Sequence, residues 1–336
     1  MKLQLKNIGI IKEANVTLDG LTVIAGENDT GKSTVGKALY LMIKSRNKSF
    51  LSNLITEHSL DRLIIIKIRL MMIRIFKFNA LRKDAYMAIG ANRIFSKKMS
   101  EHVGWSYKGK STLEDVDSIF IETPLVWNFT DFFRDIAQVE SQMDIKLDYP
   151  YLMKDLNFKL HIKNATNGLD IKDKMTKLMG GEFKKDELGR YYFDKQGEKI
   201  DLLNTATGIK TFGIFQVLSQ NNYLSENTVL ILDEPEVHLH PKWQLEMAKV
   251  IVELVKKGVK ILVNSHSPYM IEALKRYSDV EEIEEKTNFY LAEEGYIKQI
   301  EESNSKTLVE IYEKLSEPYD TFEEMDSQRM GKLING

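Results

Sequence analysis

The 336-residue chain contains no cysteine. Disulfides, thiolate metal sites and cysteine nucleophiles are therefore excluded together, and a reducing, cytoplasmic setting is the expectation. Proline is scarce at 6 residues and glycine ordinary at 19, so collagen-like, low-complexity and wholly disordered chains are excluded too. Neither sign of charge dominates, with 47 Lys and Arg against 49 Asp and Glu and a net charge of -2. That balance argues against a strongly basic polyanion binder, though a local patch remains open. There is no uncharged apolar run long enough for a membrane span. The most apolar stretch, residues 63–78, is interrupted by Lys67, Arg69, Arg74 and Lys77. Each would cost about 2.5–3.5 kcal/mol at a bilayer centre, so no membrane contact is expected. Residues 1–6 alternate apolar and polar side chains, which predicts a strand rather than a signal peptide. Internal repeats and sustained heptads are missing as well, which excludes a long coiled-coil arm.

At about 150 residues per domain the length suggests two domains or one large α/β unit. Leu3, Leu5 and Ile8, then Ala14, Val16 and Leu18, alternate at strand period before an Asp19-Gly20 turn. Residues 21–25 form a continuous apolar run, the pattern of a strand buried on both faces of a parallel sheet. A glycine-rich loop follows, then a helix over 33–43. The C-terminal part repeats this α/β rhythm. It has strands at 228–232 and 259–263, a helix over 244–256 stopped by Gly258, and short strands at 288–291 and 296–300. Between these parts, 118–122 reads as a core strand ended by Pro124, and 188–200 as a hairpin turning at Gly189 and Gly197. Charge is unevenly spread. Residues 59–110 hold 12 Lys or Arg against 3 Asp or Glu, whereas 279–326 hold 16 Asp or Glu against 4 Lys.

Gly26, Glu27, Asn28, Asp29, Thr30, Gly31, Lys32 and Ser33 complete a G-x-x-x-x-G-K-[ST] pattern, with Thr34 in the helix that follows. The glycines let the loop wrap so that backbone N–H groups face phosphates, and the helix N-terminus adds a positive dipole end. Lys32 can reach the β- and γ-phosphates, and the Ser33 hydroxyl can ligate Mg²⁺. The buried strand before the loop and the helix after it make an accidental glycine turn a poor alternative. A second acidic element closes the strand at 230–232: Asp233 suits the Mg²⁺ shell and Glu234 suits the orientation or deprotonation of a water.

Together with Leu232-Asp233-Glu234-Pro235-Glu236-Val237-His238-Leu239-His240-Pro241 and Asn264-Ser265-His266-Ser267-Pro268, the phosphate loop resembles the ABC-type ATPases of the RecF and OLD (overcoming lysogenization defect) sort, relatives of SMC heads. The resemblance covers about 1–44 and 204–300. It implies an α/β P-loop head with an N-terminal antiparallel β layer, a mainly parallel core sheet and an inserted, mostly helical lobe. On this view 1–44 and 204–336 form the nucleotide-binding core and 45–203 the lobe. His266 takes the place of the switch histidine that contacts the γ-phosphate, and 238–241 that of a dimer-facing loop. His238 and His240 could instead form a metal pair, but the Pro-bounded turn favours a structural role. The signature loop falls on 204–210, with Thr207 and Gly208 at its S-G core, while Ala206 and Ile209 depart from the family pattern. Alternatively, Thr205 or Thr207 simply caps the helix that follows. No glutamine stands where the family's Q-loop is expected.

The resemblance implies an ATP- and Mg²⁺-dependent ATPase that forms a homodimer or higher homo-oligomer around nucleotide, with hydrolysis slowed by the variant signature. OLD proteins append a Toprim nuclease, for which residues 267–336 leave no room, so a separate effector protein is expected, as in bacterial anti-phage systems. The competing expectation is a RecF-like repair ATPase in which the 59–110 stretch, with Phe95, Trp105 and Tyr107, contacts DNA. A transporter subunit fits the histidine-bearing turn and the variant signature less well.

Overall fold

The computed structural model describes residues 1–45, 71–76, 81–90, 92–96, 103–107, 115–143 and 150–335. The chain begins with β1 (Lys2–Ile8), β2 (Ile11–Thr17) and β3 (Leu21–Ala25), then α1 (Lys32–Lys44). The insert supplies β4 (Leu81–Ile89), β5 (Asn92–Ser96), β6 (Val103–Tyr107), β7 (Asp117–Ile121), α2 (Thr130–Met143), α3 (Tyr151–His161) and α4 (Lys172–Met179), then β8 (Glu182–Lys185), β9 (Tyr191–Lys195) and β10 (Glu198–Asp201). The C-terminal part follows as α5 (Thr207–Gln220), β11 (Thr228–Asp233), α6 (Pro241–Lys256), β12 (Lys260–Ser265), α7 (Pro268–Val280), β13 (Thr287–Glu293), β14 (Tyr296–Lys298) and α8 (Asn304–Asn335).

One eleven-stranded sheet runs β6-β5-β4-β1-β2-β14-β13-β3-β12-β11-β7. From β13 to β7 the pairings are parallel, and from β2 to β6 they are antiparallel. The expected antiparallel layer and parallel core are thus two halves of a single sheet. The join is β14, which pairs in parallel with β2 and antiparallel with β13. Every residue of β3 and β11 is buried, because alternate side chains enter two different cores. Val23 and Leu232 face the core shared with α5, α6 and α7, whereas Ile24 and Ile231 face the core around α1. Helices on both faces are what turn a strand into an uninterrupted apolar run.

Among the described residues the insert is α-helical at 71–76 and in α2 to α4. Its first part extends the antiparallel half through β4, which pairs along β1, and β7 is the edge strand of the parallel half. The hairpin foreseen at 188–200 is a three-stranded antiparallel meander of β8, β9 and β10. Much of the basic 59–110 stretch lies outside the described residues, so the DNA-contact expectation does too. Among the described residues no helix is long and apolar enough to cross a membrane.

At the far end of α1 from the phosphate loop sits a buried ionic cluster. Lys44 Nζ lies 2.6 Å from Asp117 Oδ1 and 3.5 Å from Asp155 Oδ1, and Lys159 pairs with the other oxygen of Asp117. Burial works against the Asp117 charge, but the Lys159 and Lys44 ammonium groups outweigh it and hold the carboxyl down at about 2. The cluster ties α1 and β7 to α3, and so the phosphate-loop helix to the insert.

Candidate active site

The loop after β3 turns on two glycines with positive φ. Gly26 has φ 152° and Gly31 φ 103°. Side chains are also excluded sterically, since a Cβ would lie 2.3 Å from Ala292 O at Gly26 and 2.3 Å from Ile11 Cδ1 at Gly31. Glu27, Asn28 and Asp29 are exposed on the loop's outer side, and the Thr30 hydroxyl donates to Glu27 O at 2.8 Å. No side chain caps α1, so its first amides are not engaged by a capping oxygen. Lys32 folds back along the loop and donates to Gly26 O at 2.8 Å and Glu27 O at 2.5 Å. Burial lowers its pKa, against the pull of Glu234, Asp233, Glu236 and Glu27. Thr34 is half-buried, beside the β1–β2 turn at Gly9.

Ser33 and Asp233 meet although 200 residues separate them: Ser33 Oγ donates to Asp233 Oδ1 at 3.0 Å. Asn264 Nδ2 donates to the same oxygen at 2.8 Å. Parallel register makes this possible, because Asp233 stands beside Asn264 and Ser265 beside Ala25. The ends of β3, β12 and β11 are therefore level, and open α/β sheets bind ligands at such carboxyl ends. Burial raises the Asp233 pKa in spite of the hydrogen bonds from Asn264 and Ser33. A buried carboxylate and a hydroxyl on one edge are hard oxygen donors of the kind Mg²⁺ takes, and a divalent cation would relieve the desolvated charge. The residues fit that ion.

Glu234 continues the strand by one bond, its N–H reaching Asn264 O at 2.9 Å. It then enters the left-handed region at φ 52°, which for a non-glycine residue costs of order 1–3 kcal/mol and clusters at functional sites. The turn places Glu234 Oε1 3.2 Å from His266 Nδ1. Lys32, Ser33, Asp233, Glu234 and His266 are thus gathered along one edge. His240 accepts from Lys242 N at 3.3 Å and caps α6, in line with a structural role for the 238–241 turn. Among the described residues no group of three or more His, Cys, Asp or Glu side chains is arranged to hold a metal.

Thr207 and Gly208 open α5, but neither Thr205 nor Thr207 caps it. The N-cap is Ala206, without a side-chain bond, and the Thr205 hydroxyl instead donates to Asp201 O at 2.9 Å. The atoms nearest a Cβ on Gly208 belong to Leu239, at 3.3 Å, and Trp243, at 3.6 Å. The segment after β7 is a 3-10 turn capped by Thr123. It carries no glutamine, and Gln138 and Gln142 lie exposed on α2. Sequence reasoning assigned no role to Asn264 or Gln244, and none to Glu236 beyond its place in a motif. Asn264 steadies Asp233, while Glu236 and Gln244 hold the loop around His266.

The level strand ends, the phosphate loop and the acidic strand end define the fold of the P-loop ATPases of ABC and SMC-head type. The family profile described as an AAA ATPase domain matches residues 128–271, a span that holds α5, Asp233, Glu234 and His266 but not the phosphate loop. The chain is similar in structure to an SMC head bound to the C-winged helix domain of ScpA, at 14% identity and TM-score 0.50, covering 89% of this chain and 96% of that one. An SMC head domain with an extended coiled coil, from Pyrococcus furiosus, matches at 13% identity and TM-score 0.47, covering 94% and 99%. In sequence, the Septu protein PtuA of Bacillus thuringiensis is 38% identical over 45 residues, which is 13% of this chain and 11% of that protein.

Proposed function

We propose that this chain binds ATP with Mg²⁺, hydrolyses it, and pairs head to tail with a second copy around the nucleotide. In that state it regulates a separate effector protein in bacterial anti-phage defence. The observation that carries the ATPase reading is the Ser33–Asp233 hydrogen bond, which joins the phosphate loop to the acidic strand end. The defence setting and the effector are supported by the motif resemblance and by the short likeness to the Septu protein.

In this mechanism the loop amides and the Lys32 ammonium bind the phosphates, their donors and charge aimed where negative charge develops. Ser33 and Asp233 would hold Mg²⁺, which supplies charge neutralisation at the phosphates. Glu234 takes a proton from the water whose oxygen attacks the γ-phosphorus, the bond to the bridging oxygen breaks so that ADP leaves with that oxygen, and His266 beside Glu234 contacts the γ-phosphate. All these groups lie on one side of the site. A second protomer offers the start of α5, with Thr207 and Gly208, as a donor surface for the opposite side, and a two-fold pair uses the same patch twice.

Calorimetry tests the binding step. Lys32→Ala is expected to weaken ATP binding by roughly 100-fold or more, the loss of about 3 kcal/mol of charge-assisted contact. Glu234→Gln is expected to keep ATP bound unhydrolysed and to sediment as a dimer only with ATP. Wild-type affinity in the first variant, or unchanged turnover in the second, would remove the assignment.

A further inference from the structure

We infer that Glu236 is a positioning residue for His266, and hence for hydrolysis; the inference rests on the ATPase reading above. Glu236 is buried, with 4% of its surface exposed, in the turn that starts at Glu234. Three donors converge on its Oε1: the Ser265 hydroxyl at 2.6 Å, His266 N–H at 3.1 Å and Ser267 N–H at 3.3 Å. The other oxygen, Oε2, has no hydrogen-bond partner among the described residues. The carboxylate is thus not a bridge between two neighbours. Its bonding is spent on the three residues that carry the imidazole.

The bland alternative is that Glu236 satisfies loose amides at the start of α7. Ser267, the N-cap, accepts from Met270 N at 3.4 Å, and Ser267 N–H also reaches Ser265 Oγ at 3.1 Å. A buried acidic group is an expensive way to take the one remaining amide, since burial disfavours a carboxylate's charge. What Glu236 adds is a link from the turn of Glu234 to the loop of His266. A parallel link runs from the Ser267 hydroxyl to Gln244 Oε1 at 2.7 Å and from Gln244 Nε2 to Leu239 O at 3.1 Å. With His266 Nδ1 3.2 Å from Glu234 Oε1, the base and the histidine are registered against each other by one turn. A displacement of about 1 Å in such a pair costs rate rather than binding.

The test uses the full chain carrying Glu236→Ala or Glu236→Gln, each with and without His266→Ala. Amide hydrogen exchange on the nucleotide-free protein reads the contacts directly. In Glu236→Ala the His266 amide, and to a lesser extent that of Ser267, which also reaches Ser265 Oγ at 3.1 Å, is expected to lose protection while β12 keeps it, and in Glu236→Gln, which retains an acceptor oxygen, protection returns. Turnover in Glu236→Ala is expected to fall roughly 10- to 100-fold with ATP affinity changed less than about threefold. Glu236→Gln should restore most of the rate. Glu236→Ala should cost nothing further once His266 is already Ala. Protected amides in Glu236→Ala, or an equal loss of rate in the His266→Ala background, would overturn the proposal. If Glu236→Ala does not fold, Glu236→Asp, which withdraws the oxygen by one methylene, gives the same readouts. A wild type that neither binds nor hydrolyses ATP overturns the ATPase reading instead, and the exchange measurement still decides whether Glu236 holds the loop.

Discussion

Gly36, one turn into α1, sets how closely the phosphate-loop helix approaches the sheet. A Cβ there would lie 2.9 Å from Ile231 Cγ2, 3.0 Å from Phe120 Cε2 and 3.4 Å from Asn264 Nδ2. Non-bonded carbons prefer about 3.5–4.0 Å, so Gly36→Ala has to lift α1 by roughly 0.5–1 Å, because Ile231 and Phe120 are themselves buried. Overpacking of that kind costs about 1–3 kcal/mol, and the better helix propensity of alanine returns about 1 kcal/mol. Stability measured by urea unfolding should therefore fall by about 0–2 kcal/mol. Function should fall further. Ser33 lies on the same helix turn, and its 3.0 Å bond to Asp233 stretches past the roughly 3.5 Å at which such a bond ceases to count. A hydrogen bond to a charged group is worth about 1.5–3 kcal/mol, so the Mg²⁺-dependent part of ATP affinity is expected to drop at least about tenfold. Calorimetry with and without Mg²⁺ measures it, and in a Ser33→Ala background the further loss should vanish. A Gly36→Ala protein with full Mg²⁺-dependent affinity would refute the claim that this spacing sets the site.

Gly208→Asp is expected to weaken ATP-dependent dimerisation in a Glu234→Gln background while sparing binding to one head. Gly208→Ala, which makes the same contact with Leu239 without the charge, separates repulsion from packing, and sedimentation reads both. Lys159→Met leaves Asp117 with Lys44 as its remaining partner and should destabilise the fold by about 1–3 kcal/mol in urea. Acid should act on the same group. Its carboxyl is held at about 2 against an ordinary 3.8, so its stabilisation is complete above that ordinary value and is lost as pH falls towards 2. The stabilities of wild type and Asp117→Asn should differ by a constant amount above that window and converge within it as pH falls.

The parts of the chain that a local pattern could reveal were the parts whose environment is uniform. Leu21–Ala25 and Thr228–Asp233 are covered on both faces, so their sequences are continuous apolar runs ending at the phosphate loop and at the acidic pair. The insert was less legible because its strands are not of that kind. In β4 the buried positions Ala85 and Met87 sit among Arg82, Lys83 and Asp84, and the charged neighbours obscure the period. Asn264, Glu236 and Gln244 were harder still. Each matters through a partner on another element: Asn264 through its register beside Asp233, Glu236 and Gln244 through contacts reaching over 20 residues along the chain. No spacing within a single element encodes that. The threonines at the start of α5 misled because a good capping residue caps only from the N-cap position, and the chain puts Ala206 there.

The position of β3 has a consequence for how the molecule is built. Its neighbours are β12 and β13, both from the C-terminal third, so the strand that leads into the phosphate loop has neither lateral partner until residues 260–293 exist. During synthesis the β1–β2 hairpin closes at once, whereas Leu21–Ala25, wholly apolar apart from Thr22, waits with both edges open while the whole insert is made. Open, apolar edges are where chains associate wrongly. Closure of so long a loop is also slow relative to local pairing. The phosphate loop and the acidic strand end are therefore joined only once β12, which lies between β3 and β11, has been made, and a chain cut short before β12 carries an intact phosphate-loop sequence with neither lateral strand beside it.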